Sequence, residues 1–314
     1  GARRQPRVDS AIECIDIEGY ARANGRRRPD IADSILTLAQ PRTEELLRDR
    51  LRTLQPDALQ SGSVVRSVRD EGPFVRVWID GEHGRREETA SIVVVADGVR
   101  SPLREAFGAG WLARTGTAGY AMLDVDDPPA DDRAVLYFEP DGLVESFPLP
   151  GGRRRWVVRE DRGRTMSTAA ELADIVGHRT GERLEVDPTA PVSSFRAAQH
   201  AARRLHRRRI VLLGDAAHEV SPIGGQGMNL GWADALRLVA ALRRTDRGAA
   251  PVLDGFAREV QRAARKAHHR SAFFMAMGAP AVAPVVAVRE GLVRTLGSSA
   301  LRPWTTGLIT MRGL

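Results

Sequence analysis

Two uninterrupted apolar runs constrain the fold of this chain more than any other feature of its sequence. They span residues 92–95 and 210–213, and an aspartate and a glycine follow each run within three residues. A continuous apolar run indicates a strand buried on both faces, which is usual in a parallel sheet. Open parallel sheets bind ligands beyond the carboxyl ends of their strands, so the residues after both runs are candidates for a ligand site.

The stretch between the two runs has a different character. Segments 134–140, 143–150 and 154–161 have the composition of strands, and turns at Asp141-Gly142 and Gly151-Gly152 separate them. Closely spaced strands joined by glycine turns are typical of an antiparallel sheet. We therefore expect a second sheet, inserted between the two buried strands.

Helical periodicity predicts three helices around this sheet. The first spans 43–54 with Thr43 as its N-cap, and the second spans 168–181. The third begins near Met228 and places Trp232, Ala235, Leu236, Val239 and Leu242 on one apolar stripe.

Together these patterns predict an α/β protein. A Rossmann-like ligand-binding domain comprises residues 1–110 and 201–250, with an inserted, mostly antiparallel substrate-binding sheet over 111–200. Residues 251–314 form a helical C-terminal segment.

Composition excludes several other classes. Cys14 is the only cysteine among 314 residues, so a disulfide framework is excluded and a cytoplasmic location is favoured. The net charge of +7 comes from arginines with no nucleic-acid recognition motif, so we expect no nucleic-acid partner. Residues 271–288 are uncharged, but Pro280 and Pro284 favour a broken or buried helix over a membrane span. No spacing typical of metal ligands is found.

The segment GDAAHEVSPIGGQGMN, residues 214–229, carries most of the chemical information. The carboxylate of Asp215 can accept hydrogen bonds from hydroxyl groups of a ligand such as a ribityl or ribose chain. The glycines near the end of the segment let the backbone approach a flat ligand. A helix that begins near Met228 or Asn229 points its positive end at such a ligand and favours negative charge there.

This segment, extended as GDAAHEVSPIGGQGMNLGWADALRL, resembles the flavin-contacting motif of the FAD-dependent aromatic-ring monooxygenases, the para-hydroxybenzoate hydroxylase-like family. The segment VVVADGVRSPLREAFG, residues 93–108, is similar to the Asp-Gly motif of that family, and Arg42 matches an arginine that relatives place at the flavin. The resemblance covers roughly residues 40–245. It implies FAD contacts from Arg42, Asp97, Gly98, Asp215, Pro222, Gly224, Gly225, Gly227, Met228 and Asn229.

The resemblance also implies an activity. Members of the family use NAD(P)H and O2 to hydroxylate or epoxidise small molecules, here an aromatic, polyene or polyketide-like substrate. Tyr137, Phe147 and Trp156 are candidates for an apolar substrate wall. The cofactor carries the chemistry, so the sequence identifies no catalytic side chain.

The chain departs from the family pattern in one respect. Relatives begin with a strand, a GxGxxG turn and a helix, a βαβ unit that holds the adenosine diphosphate half of FAD, and no such motif precedes Arg42. The sequence is compatible with three explanations for the missing motif. The chain is a fragment, a partner chain supplies the βαβ unit, or FAD binding is weak or altered. The sequence also leaves open a flavin-independent cyclase or isomerase and a non-catalytic partner of an intact flavoprotein.

Overall fold

The computed structural model describes residues 11–16, 38–114, 117–126, 133–160, 165–221, 227–245 and 251–296. For residues 11–16 and Arg133 it describes the backbone only. The strands in chain order are β1 (Ala11–Asp16), β2 (Val64–Asp70), β3 (Val75–Gly81), β4 (Gly84–Ala90), β5 (Val93–Val95), β6 (Trp111–Ala113), β7 (Ala118–Asp126), β8 (Arg133–Glu139), β9 (Gly142–Leu149), β10 (Arg153–Arg159), β11 (Ser193–Ala197), β12 (His200–Ala202), β13 (His206–Arg207), β14 (Ile210–Leu212) and β15 (His218–Glu219). The helices are α1 (Gln40–Leu54), α2 (Pro102–Ala106), α3 (Ala169–Thr180), α4 (Gly227–Leu242), α5 (Asp254–Met277) and α6 (Ala283–Leu296).

The described residues divide into two compact units. One, the sheet unit, comprises the described parts of 1–47, 117–197 and 273–313. The other, the motif unit, comprises the described parts of 48–116 and 198–272. The C-terminal helices therefore do not form a unit of their own, because the division falls within α5.

The sheet unit is built on six strands in the order β1-β8-β9-β10-β7-β11, and every neighbouring pair is antiparallel. Helix α3 packs on one face of this sheet. Its capping box joins Thr168 and Glu171, and Gly181 ends the helix in the left-handed conformation with φ +82°. Leu172 and Val176 of α3 are buried against the sheet. The inserted antiparallel sheet and the helical C-terminus are thus confirmed.

The position of β1 at the edge of this sheet differs from the sequence prediction. Strand β1 was expected in the ligand-binding domain, but it pairs antiparallel with β8, and Ile12 lies opposite Leu136. A short strand pattern predicts extended backbone and does not specify which neighbour the strand will choose. The edge of the sheet is therefore completed from the N-terminal part of the chain.

A buried arginine fastens the C-terminal helices to the sheet unit. Arg289 of α6 donates to the carbonyl oxygens of Met277, Ala279 and Glu139 at 2.7, 2.8 and 2.8 Å. Burial lowers the pKa of this guanidinium, and the charges of Glu139 and Glu290 oppose that effect. One side chain thus joins α6, the end of α5 and strand β8.

The motif unit contains three small sheets, ordered β2-β3-β4, β13-β14-β5 and β15-β12-β6. The two apolar runs form the parallel pair β5 and β14, with Leu212 opposite Val95, as the sequence predicts. All three residues of β14 are buried, whereas Val94 of β5 is 41% exposed. The prediction of a strand buried on both faces therefore holds for β14 and is wrong for β5.

Two helices differ from their predicted form. Helix α1 begins three residues early, so Thr43 is not its N-cap, and its hydroxyl instead donates to the carbonyl of Ala39. Helix α4 buries Leu230, Asp234, Leu238 and Ala241, while the predicted stripe through Leu236 is largely exposed. Apolar residues on two sides of a helix leave the buried side undetermined by periodicity alone.

Residues 271–288 do not make one continuous helix. Helix α5 ends at Met277 and α6 begins at Ala283. In the part of the chain that the structure describes, no helix has the length and apolar character needed to span a membrane.

Candidate functional site

The two sequence motifs meet at one edge of the sheet β13-β14-β5. Strands β5 and β14 are parallel, and the amide of Leu213 donates to the carbonyl of Val95 at 2.9 Å. Asp97 therefore follows one strand and Asp215 follows its neighbour at the same carboxyl end, and both residues are exposed. Two adjacent carboxyl ends of this kind form the place where open α/β sheets bind ligands.

The turn after β5 is held by local hydrogen bonds. Gly98 has φ +84°, a conformation that favours glycine, and its carbonyl accepts from the amide of Ser101 at 3.2 Å. The Ser101 side chain then caps α2 by accepting from the amide of Arg104 at 2.9 Å, and Pro102 occupies the first turn. The Asp-Gly turn is thus tied directly to a helix start.

Arg104 connects this turn to a stack of rings. Its guanidinium donates to the carbonyl of Val99 at 2.7 Å and lies 3.7 Å from the ring centroid of Trp111. Trp111 in turn stacks on His200, with centroids 5.3 Å apart, and His200 contacts a carboxylate oxygen of Glu219 at 2.6 Å. A cation–π contact, a ring stack and a hydrogen bond therefore join the two motif segments.

The turn after β14 is a short 3-10 helix, residues 214–216, that packs on α4. Gly214 has φ +58°, and its carbonyl accepts from the amide of Ala217 at 2.8 Å. A Cβ on Gly231 of α4 would lie 3.6 Å from the Gly214 Cα atom. The turn carrying Asp215 therefore lies close to α4 at Gly231.

A buried hydrogen bond between two side chains fixes the chain just beyond Asp215. His218 Nε2 lies 2.5 Å from Oδ2 of Asp234 in α4, and both side chains are closed to solvent. Burial raises the pKa of Asp215, His218 lowers it and Glu219 raises it further. The geometry gives His218 a structural role, because its Nε2 is occupied by Asp234.

The remaining predicted cofactor residues are placed as follows. Gly227, Met228 and Asn229 form the first turn of α4. Arg42 is an exposed residue of α1, where it forms an ion pair with Glu45 at 2.5 Å, and it belongs to the sheet unit. The three positions that lie outside the described residues are Pro222, Gly224 and Gly225.

The three candidates for a substrate wall lie on two faces of the sheet unit. Trp156 is 5% exposed, stacks on Tyr137 and packs in the cluster under α3. Trp156 pairs with Ser146 in the ladder, and neighbouring residues of a strand point to opposite faces, so Phe147 lies on the other face. The three residues therefore cannot form a single wall, and the side of Tyr137 and Trp156 is filled by α3.

The face that carries Phe147 also carries an unusual acid. Glu145 is 3% exposed, and no hydrogen-bond partner for its Oε1 exists among the described atoms. Burial raises the pKa of its carboxyl to about 8. The hydroxyl of Tyr120 is likewise buried without a described partner, and burial raises its pKa. No sequence pattern marked either residue.

Several residues of the motif unit were not predicted. Trp111 and His200 were not identified, because no local motif marks them. Glu219 and Asp234 lie within the motif of residues 214–238, but the sequence assigned no contact to either side chain. Among the described residues, no group of three or more His, Cys, Asp or Glu side chains could hold a metal ion.

Comparison with known proteins identifies the family. The family model described as "FAD binding domain" matches residues 12–271. The chain is 38% identical over 168 residues to ubiquinone hydroxylase UbiL of Rhodospirillum rubrum, covering 49% of this chain and 38% of that protein. It is 31% identical over 246 residues to 6-methylpretetramide 4-monooxygenase of Streptomyces rimosus, covering 75% of this chain and 43% of that protein.

Comparison with a solved structure supports the same family. OxyS anhydrotetracycline hydroxylase from Streptomyces rimosus superposes with a TM-score of 0.66 at 25% identity, covering 89% of this chain and 58% of that one. The matched part of the chain spans less than half the length of each of the two curated relatives. The family match covers most of the chain and includes both motifs at the sheet edge. The protein therefore belongs to the FAD binding domain family of aromatic hydroxylases.

Proposed function

We propose that the protein is part of a flavin-dependent monooxygenase that uses NAD(P)H and O2 to hydroxylate or epoxidise an aromatic or polyketide-like small molecule. The observation that carries the proposal is the placement of Asp97 and Asp215 at the adjacent carboxyl ends of β5 and β14. The family match and the hydroxylase and monooxygenase names of the relatives support it.

The residues at this edge fit FAD. A Cβ at Gly98, Gly214 or Gly227 would meet nothing within 4 Å, so the backbone there borders open space that a ligand can enter. Asp215 presents an exposed carboxylate that can accept hydrogen bonds from the ribityl hydroxyls. The amides at the start of α4 supply donors and partial positive charge beside it.

Bound FAD supplies the redox chemistry that activates O2 for transfer of one oxygen atom to the substrate. The residues of this chain bind the cofactor and orient it. Asp215 holds the ribityl chain, and the first turn of α4, from Gly227 to Asn229, favours negative charge on the ring. The contact of Arg104 with Trp111 keeps the Asp-Gly turn in place beside the Asp215 turn.

The sheet unit is the proposed substrate domain. Phe147 is partly exposed, which supports its side of the sheet as the substrate surface, whereas Trp156 is covered by α3. Two relatives are named for polyketide chemistry, 6-methylpretetramide 4-monooxygenase and a putative polyketide hydroxylase of Streptomyces coelicolor. We therefore propose a multi-ring aromatic substrate.

The residues described above account for contacts to the flavin half of FAD, and a βαβ unit is also needed to bind the adenosine diphosphate half. We propose that a partner chain, or further residues of the same polypeptide, supplies it. Among the described strands β5 pairs with β14 alone, and its Val94 is 41% exposed. A free strand edge of this kind is suited to accept another parallel strand.

Spectroscopy and turnover test the proposal together. The protein is purified together with the βαβ unit that completes it, mixed with FAD and assayed for flavin absorbance, for bleaching by NADH or NADPH without O2, and for oxygenation of multi-ring phenols. The proposal expects bound flavin and reductant-dependent product. Colourless protein that converts a substrate would indicate a flavin-independent cyclase or isomerase. Colourless and inert protein that binds an intact flavoprotein would indicate a non-catalytic partner, and either result contradicts the proposal.

A further inference from the structure

A narrow cleft of about 220 Å³ lies within the motif unit, where helix α5 meets strands β6 and β12. Leu112 and Ala201 line it, lie opposite each other in the β6–β12 ladder and are partly exposed. Ala264 of α5 lines it as well, and no acidic side chain of the described residues does. Pockets that bind small molecules commonly enclose about 300–1,000 Å³. The cleft therefore has room for one apolar side chain and not for a larger ligand.

Three exposed arginines line this cleft and give it a positive rim. Arg114 follows β6, Arg203 follows β12 and Arg265 belongs to α5. Among the residues that the structure describes, none forms an ion pair with these guanidiniums. Guanidiniums without acidic partners present donors that bind carboxylate oxygens through charge-assisted hydrogen bonds. The rim therefore favours an anionic group beside the side chain that fills the cleft.

The positive charge continues along α5 as an arginine stripe, which consists of Arg258, Arg262 and Arg265. All three are exposed, and their spacing of four and three residues places them on one side of the helix, over about 10 Å. The opposite side of α5 packs in the core through Phe256 and Val260. No ion pair engages the stripe in the described part of the chain. Arg265 belongs to both the stripe and the rim, so the two form one continuous basic surface.

A basic stripe beside an apolar recess selects one kind of partner. Glutamates at the same spacing on a partner helix lie on one side of that helix and attract the stripe through opposite charge. An apolar side chain of the same helix can fill the cleft. Nucleic acid offers phosphates but no such side chain. A lipid surface takes up apolar residues that project from a protein, whereas the apolar residues here line a recess.

We propose that α5 and this cleft dock an acidic amphipathic helix of a partner protein. Carboxylates of that helix contact the arginine stripe and the rim, and one large aliphatic side chain fills the cleft. No residue named for FAD contact lines the cleft or belongs to the stripe, so the inference does not rest on flavin binding.

Isothermal titration of the full chain with synthetic peptides tests the chemistry. The parent peptide has about 15 residues of alanine and glutamate with one central leucine, a length at which alanine-rich helices begin to form in water. One variant peptide has alanine in place of the leucine, and another has glutamine in place of every glutamate. Each change should raise the dissociation constant about tenfold or more, because it removes the apolar contact or the charge complementarity. No binding of the parent peptide, or equal affinity for all three peptides, overturns the proposal.

Charge reversal on the protein tests the position of the surface. Arg262→Glu and Arg265→Glu should each weaken binding of the parent peptide by about tenfold or more. Arg50→Glu, at an exposed arginine of α1 in the same unit, changes the net charge equally and should leave affinity unchanged. An equal loss in Arg50→Glu and Arg265→Glu would show a nonspecific effect of net charge and would overturn the assignment.

The same preparations test three other occupants of the surface. Single-stranded oligothymidylate reports a nucleic-acid surface, phosphatidylglycerol vesicles report a lipid surface, and light scattering of the chain alone reports a second copy. We expect weaker binding to the oligonucleotide and the vesicles than to the parent peptide, and no self-association that depends on Arg265. Tighter binding to either probe, or self-association that Arg265→Glu abolishes, assigns the surface to that other occupant and overturns the proposal.

Discussion

His218 Nε2 lies 2.5 Å from Oδ2 of Asp234, and neither side chain is accessible to solvent. The other oxygen of Asp234 accepts from Arg237 at 2.8 Å. His218 lies three residues beyond Asp215, and Asp234 lies inside the helix that begins with Gly227. The pair therefore fixes the position of the Asp215 turn relative to the start of α4.

Removing one partner of this pair should destabilise the protein strongly. Asp234→Ala leaves the buried His218 without its hydrogen-bond partner, and we expect a loss of about 1–3 kcal/mol in the free energy of unfolding. Urea unfolding followed by circular dichroism measures it. Asp254→Ala is the matched control, because Asp254 contacts His206 at 3.1 Å but is 71% exposed. A loss no larger than that of the control would show that the buried pair does not fix the turn.

Glu145 should make the stability of the protein depend on pH. Its folded-state pKa is raised from 4.5 to about 8, because burial disfavours the charged carboxylate. The folded state thus retains a proton that the unfolded chain releases, so this contribution is full below pH 4.5 and is lost as pH rises through about 8. The free energy of unfolding should fall by up to about 1.4 kcal/mol per pH unit in that window.

Glu145→Gln removes this titration and should flatten the dependence. Unfolding of wild type and variant is compared at about pH 5, 7 and 9, below and above the folded-state transition. Glu185→Gln changes an exposed acid of the same unit and should retain the wild-type slope. Parallel curves for wild type and Glu145→Gln would contradict the assignment.

Arg289 should be important for the attachment of α6. Arg289→Met removes the donors to three carbonyl oxygens, and because all three of these bonds reach outside α6 we expect a loss of about 2–4 kcal/mol in unfolding free energy. Amide hydrogen exchange should quicken in α6 before it does in α3. Arg294→Met, at an exposed position of the same helix, is the control. Unchanged exchange in the Arg289 variant would refute the role.

The sequence predicts the backbone of the site better than its supporting contacts. The apolar runs predict the parallel strands β5 and β14, since an uninterrupted run leaves few alternatives, and the motif after each run then predicts where Asp97 and Asp215 emerge. Trp111 and His200 are distant in sequence, and His218 and Asp234 belong to different secondary-structure elements. No local pattern specifies such pairs.

Other errors have physical causes too. Leu236 and Leu238 lie on different sides of α4, and both are apolar, so periodicity did not select the side that the fold buries. Trp156 and Phe147 are both large aromatic residues on neighbouring strands, and only the observed register shows that they face opposite ways. Glu145 is a buried acid and an exception to the rule that acids are exposed, so no pattern could predict its burial.

FAD affinity of Asp215→Asn, measured by quenching of flavin fluorescence, tests the central claim most directly. Loss of charge-assisted hydrogen bonds should raise the dissociation constant about tenfold or more relative to wild type, whereas Asp57→Asn, at an exposed acid of the same unit, should leave it unchanged. Equal affinity of wild type and Asp215→Asn, or no FAD binding by the wild type in the presence of its βαβ unit, would contradict the claim that this sheet edge is the flavin site.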